Sequence, residues 1–243
     1  MPYLSKNDIE AIAKRVIAAY RRLPELQGRG NDRVSPKLLV DKLLGLSTRY
    51  HTLSRSGTIL GLTSCGEIGV PIFDNPEHPE HFFLDGNTVL IDKSLIAENA
   101  NRGRYHFTLA HEACHQIFKM LYPREYINAV AQRKIHYCTQ PPITANDYWD
   151  EWRTNTLASA ILMPADAVQI NMLAFGLGEK LRLLNKVFAP DDYKRFCKMA
   201  DHMGVSKTAL SIRLRQLGLL EISHLKNPYE LVEVFPDEED YDV

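Results

Sequence analysis

FTLAHEACHQIF, residues 107–118, sets two histidines and a glutamate inside a run that otherwise reads as buried helix. Desolvating such groups without partners costs several kcal/mol, so the segment makes physical sense only if they bind something. On an α-helix each residue turns about 100°, which leaves His111 and His115 about 40° apart and one turn above each other. Both can then offer an imidazole nitrogen to one ion. Glu112 falls about 60° beyond His115, beside that ion, where a carboxylate can take a proton from water. H-E-x-x-H alone is a weak signal; Phe107, Leu109, Ala110, Ile117, Phe118 and Leu121 around it, with no helix breaker, strengthen it. The competing reading is two hydrogen-bonded histidines on a partly buried helix.

A catalytic zinc takes three protein ligands and keeps a fourth position open, so a third ligand must lie downstream. Glu125, Asp147, Asp150 and Glu151 are candidates, with Cys138 as a softer one. In the helix predicted from about Asp147 to Met163, Glu151, Asn155, Ala158 and Leu162 form one stripe whose far end is small or apolar. A glutamate at the head of an inward stripe needs a partner, which favours Glu151 as the ligand; the alternative is an exposed first-turn glutamate that suits the helix dipole. Asn155 shares that face. Its oxygen could accept the N–H of a ligating imidazole, or it could be a packing amide.

The rest of the chain sets the context. With 243 residues, 45% hydrophobic and 24% charged, it can bury a sizeable core, and its net charge of −1 gives no global pull toward nucleic acid or an anionic membrane. No run is apolar for long enough to span a bilayer, and MPYLSKNDIEAIAKRV lacks a signal-peptide pattern, which predicts a cytoplasmic protein. Cys65, Cys114, Cys138 and Cys197 contain no C-x-x-C pair, so reduced thiols are expected.

Apolar spacing from Ile9 to Tyr20 predicts a first helix opening after Asn7, and Ser35-Pro36 starts a Leu-rich one to about Leu46. From Tyr50 to Asp92 the pattern turns to short strands. HFFL-DGN-TVLI reads as a hairpin, and TVLID as either the edge strand that receives an extended peptide or an inner strand. Helical patterns return at 165–174, 178–188, 190–203 and 206–217, the last capped by Ser206. MADHMGVSKTALSIRLRQLG has the form of a helix-turn-helix unit, and Lys194, Arg195, Lys198, Lys207, Arg213 and Arg215 make its neighbourhood basic. DNA binding is the lesser expectation there, behind a scaffold wall or a docking face for a repressor. The end, YELVEVFPDEEDYDV, is an acidic tail.

FTLAHEACH is similar to the F-T-L-A-H-E-L-G-H of the ImmA/IrrE family of zinc metallopeptidases, which look like minimal gluzincins. EWRTNTLASAILMP resembles that family's E-x-x-A-N-x-F-A-x-x-L-L-M-P. The resemblance implies Zn²⁺ held by His111, His115 and Glu151, with Glu112 as general base. It also implies cytoplasmic cleavage of a helix-turn-helix transcriptional repressor. Cys114 stands where the family has glycine, Thr154 where it has alanine, and Leu157 where it has an aromatic residue; none of these removes a ligand.

The expected architecture is α+β: N-terminal helices, a small twisted, mostly antiparallel sheet, a zincin-type active-site helix pair and a C-terminal helical subdomain. Residues 1–175 are expected to form the metallopeptidase domain, 176–228 the helix-turn-helix-like subdomain and 229–243 the tail. The expected activity is zinc-dependent hydrolysis of a peptide bond in a regulatory protein. The alternative is a metal-containing module that binds a protein partner, or DNA, without proteolysis. The oxyanion donor stays open among Tyr105, His136, Tyr137, Tyr148 and His202.

Overall fold

Ser5 opens the first helix, α1 (Lys6–Tyr20), with a reciprocal cap. Asp8 N–H donates to Ser5 Oγ at 3.2 Å, and Ser5 N–H donates to Asp8 Oδ2 at 2.9 Å. The helix therefore starts ahead of the position that apolar spacing alone suggests. This computed structural model describes residues 3–30, 32–125, 135–137 and 145–230, with the backbone alone for 135–137 and 145–147. Ser35 caps α2 (Pro36–Leu38), which passes at once into a wider π-type turn over Leu39–Leu43, so the Leu-rich helix is shorter than expected.

The strands are β1 (Ser47–His51), β2 (Gly61–Ser64), β3 (Glu67–Ile72), β4 (Glu80–Asp85), β5 (Thr88–Asp92), β6 (Ile135–Tyr137), β7 (Leu181–Leu184) and β8 (Leu220–Ser223). The main sheet has the order β1-β5-β2-β6. Its β1–β5 pair is parallel and the other two pairs are antiparallel. β3 and β4 form a separate antiparallel hairpin, and β7 and β8 a parallel pair. The longer helices are α3 (Arg102–Leu121), α4 (Ala145–Leu162), α5 (Ala165–Ala174), α6 (Pro190–Met203) and α7 (Lys207–Gln216). The fold class is α+β, as composition and patterning predict, with sheets that are mixed.

Two expectations need correction, and one left open is decided. HFFL and TVLI do not pair with each other. Their Asp85-Gly86-Asn87 link does turn, with Gly86 at φ 78° and Asn87 N–H donating to Asp85 Oδ1 at 2.8 Å, but it hands the chain from the β3–β4 hairpin to the main sheet. The burial explains why: every residue of β5 is buried, as a central strand requires, whereas β4 is mostly exposed. For the same reason TVLID takes the inner of the two positions left open for it; β5 lies between β1 and β2. The second correction is residues 178–188, where LRLL forms β7 instead of helix and pairs with β8.

One apolar cluster joins α1 (Ile9, Ile17), α3 (Leu109, Phe118), α4 (Leu157, Ile161), α6 (Phe196) and α7 (Leu210, Leu214). Each such side chain contributes about 1.5–3 kcal/mol on burial. That packing holds α3 and α4 together against the desolvation cost of the histidines between them. A smaller cluster, Leu53, Leu62, Val70, Leu84 and Leu90, fixes the β3–β4 hairpin on the sheet. Cys65 and Cys114 are buried and Cys197 half-buried; Cys138 and residues 231–243 of the acidic tail lie outside the described residues. Among the described residues no single helix is long and apolar enough to cross a membrane.

Candidate metal centre

Helix α3 is buried from Thr108 to Phe118, and its faces have different tasks. Leu109, Ala113, Cys114 and Ile117 join the core. Thr108, Glu112 and Gln116, spaced by four, run along β2. Gln116 Nε2 donates to Thr63 Oγ1 at 2.5 Å and to Ser64 O at 3.0 Å. At Gly61 a Cβ would stand 2.7 Å from both Glu112 Oε1 and Thr108 Cγ2. The fully buried Glu112 carboxylate thus lies directly against the strand backbone.

His111 and His115 face α4. Their Nε2 atoms are 3.1 Å apart, and Glu151 sets Oε2 3.1 Å from His111 Nε2 and Oε1 3.6 Å from His115 Nε2. Three donors bound tetrahedrally at about 2.0–2.1 Å from one ion stand roughly 3.3–3.4 Å from each other. The triangle therefore already has the dimensions of a ligand set, and the three residues form a candidate metal site. Both imidazoles are 1% exposed and the Glu151 side chain 22%, so the group opens to solvent on the glutamate side.

Asn155, one turn after Glu151, lies with Oδ1 3.0 Å from His111 Nδ1. An amide oxygen can only accept, so this bond places the ring proton on Nδ1 and leaves the Nε2 lone pair for a cation. Asn155 itself is exposed, while Ala158 and Leu162 farther along the stripe are buried. The head of the stripe is the open rim of the site and its tail is core.

Of the other acidic candidates, Glu125 and Asp150 do not belong to this group. Glu125 is exposed, and Asp150 takes Arg153 Nη1 at 3.0 Å; the side chains of Asp147 and Cys138 lie outside the described residues. Burial first, then the charge of Glu112, pushes the Cys114 thiol well up, so it is a neutral core side chain and no competing thiolate. Of the oxyanion candidates, Tyr105 Oη is 3.0 Å from Tyr50 Oη, and His202 Nε2 is 2.7 Å from Asp32 Oδ2. Tyr148 is exposed, three residues before Glu151 on α4. The side chains of His136 and Tyr137 lie outside the described residues. Sequence reasoning missed Gly61 and Gln116. The signal for the first was present, since a lone glycine inside a strand marks a close approach.

No family model matches this chain, and no curated protein does. The resemblance to the ImmA/IrrE peptidases rests on the two motifs, and the geometry adds a His-His-Glu group able to hold a metal ion.

Proposed function

We propose that the protein is a zinc-dependent endopeptidase that cleaves a regulatory protein, an HTH-type transcriptional repressor by its resemblance. The observation that supports this best is the His111, His115 and Glu151 triangle with Glu112 buried alongside. The donor set, two neutral imidazoles and one carboxylate, suits zinc and would leave the centre near a net charge of +1. When bound, zinc supplies Lewis acidity, lowering the pKa of a water and polarising the scissile carbonyl. Glu112 takes the proton of the attacking water and delivers it to the leaving amine. Asn155 holds the His111 ring in the orientation and tautomer that ligation needs.

The C-terminal helices support a protein substrate better than DNA. Arg213 is withdrawn into the core, Lys194 and Arg195 pair with Asp191 and Asp192, and Lys207 lies over the Tyr193 ring. Of the six basic residues of this region, only Lys198 and Arg215 are left on the surface without a carboxylate or ring partner among the described residues.

The test combines metal analysis with a cleavage assay. Wild type is expected to hold one zinc per chain, and His115→Ala and Glu151→Ala to lose it. Glu112→Gln is expected to keep the metal and to stop cleaving a repressor encoded beside the gene. Wild-type turnover by Glu112→Gln would refute the base; full zinc in Glu151→Ala would refute the site.

A further inference from the structure

Beyond the metal site, the N-terminal end of α3 borders a cavity of about 740 Å³, walled by the segment between α1 and α2, the first turns of α3 and the end of α6. We propose that this cavity binds a small phosphate-bearing ligand of nucleotide size. Three arginines from two separate segments line it: Arg29 and Arg33 from the loop, and Arg102 from α3. None of them has a carboxylate partner among the described residues.

Two of the three carboxylates on the same wall are already engaged: Asp32 binds His202, and Asp41 takes Lys37 Nζ at 2.8 Å, while Asp201 is exposed on α6. The three guanidinium groups outnumber the one carboxylate left, and guanidinium suits the planar, bidentate recognition of phosphate. The positive end of a 20-residue helix begins beside it.

Size and lining narrow the class further. The volume lies within the range of small-molecule sites, about 300–1,000 Å³, and exceeds what a bare phosphate needs. Val34, Leu38 and Met203 give part of the wall an apolar character that a sugar or base could cover. The frame is also rigid. A Cβ on Gly204 would stand 2.6 Å from His106 Nδ1, and one on Gly103 would stand 2.9 Å from Ser206 N, so α3 and the α6–α7 turn meet without slack. The site uses no side chain of the metal group and stands or falls independently of it.

The experiment titrates the full-length protein with pyrophosphate, ribose 5-phosphate, AMP and ATP by calorimetry, with melting temperature as a second readout. At least one of these is expected to bind saturably, one per chain, and to raise the melting temperature. Arg33→Ala and Arg102→Ala are each expected to weaken it roughly 10- to 100-fold while melting like wild type without ligand. Lys14→Ala, on exposed α1 surface, is expected to bind as wild type does. No binding of any probe at millimolar concentration overturns the proposal, as does undiminished binding by both arginine variants. Binding of duplex DNA alone, with a steep salt dependence, overturns it as well.

Discussion

Asn155 Oδ1 accepts the Nδ1–H of His111 at 3.0 Å, while Glu151, one turn earlier on the same helix, sets a carboxylate oxygen 3.1 Å from the other nitrogen of that ring. The orientation of the ring and the third candidate ligand thus both come from one helix. Removing the amide frees the ring to rotate and to move its proton. Asn155→Ala is therefore expected to lower zinc affinity roughly 10- to 100-fold, measured by competition with a chelator. Asn155→Asp, which keeps an acceptor, is expected to retain most of it.

Arg213 is 1% exposed although it lies in the basic helix-turn-helix-like region. On α7 it shares the inward stripe with Leu210 and Leu214. Its Nε donates to Met163 O at 2.9 Å, and its guanidinium binds the carboxylate of Glu10 on α1. Removing Glu10 strands a buried charge, which costs roughly 3–5 kcal/mol in general. Glu10→Ala is expected near the lower end because Glu10 is 40% exposed. Arg213→Met, which removes the charge and keeps the volume, should cost less than Glu10→Ala in chemical denaturation; the reverse order would contradict the burial argument.

Much of the site was legible because its information is local. H-E-x-x-H and the stripe from Glu151 to Leu162 are helix-period patterns, and burial of α3 and α4 on each other follows from their apolar faces. What was not legible depends on pairing between distant segments. Nothing near HFFL says that its partner is EIGVPI and not TVLI, because an Asp-Gly-Asn turn can close a hairpin or redirect a strand. LRLL at 181–184 becomes a strand because LEIS at 220–223 lies alongside it, a tertiary choice that overrides a helix-compatible pattern. The inward turn of Arg213 likewise needs Glu10, 203 positions away.

Arg21 Nη1 lies 2.6 Å from Asp166 Oδ2 and ties the end of α1 to the start of α5. Its guanidinium holds the Asp166 carboxyl below the ordinary value of 3.8. A carboxyl whose folded pKa is depressed contributes stability above its unfolded pKa and loses that contribution as pH falls through the folded one. Asp166→Asn should therefore lower the melting temperature at pH 7 and have no effect once the pH is well below 3.8. Both groups are partly solvated, so the loss is expected to be small, roughly 0–1 kcal/mol.

Gly61 offers the sharpest separation of metal binding from catalysis. It belongs to β2 and contributes no ligand, and a Cβ there would strike two α3 side chains, Glu112 and Thr108, each at 2.7 Å. Neither contact can be relieved cheaply, because Glu112 is fully buried and Thr108 is 2% exposed. Alanine at this position must push the carboxylate along the helix face, toward or past the site it serves. A displacement of about 1 Å in a catalytic group can cost on the order of 100-fold in rate. Gly61→Ala is expected to keep one zinc per chain, since His111, His115 and Glu151 are untouched, and to lose peptidase turnover by about that factor. Zinc content and single-turnover rate measured on the same preparation decide it: loss of metal would place Gly61 in the support of the whole centre, and unchanged turnover would detach Glu112 from the chemistry.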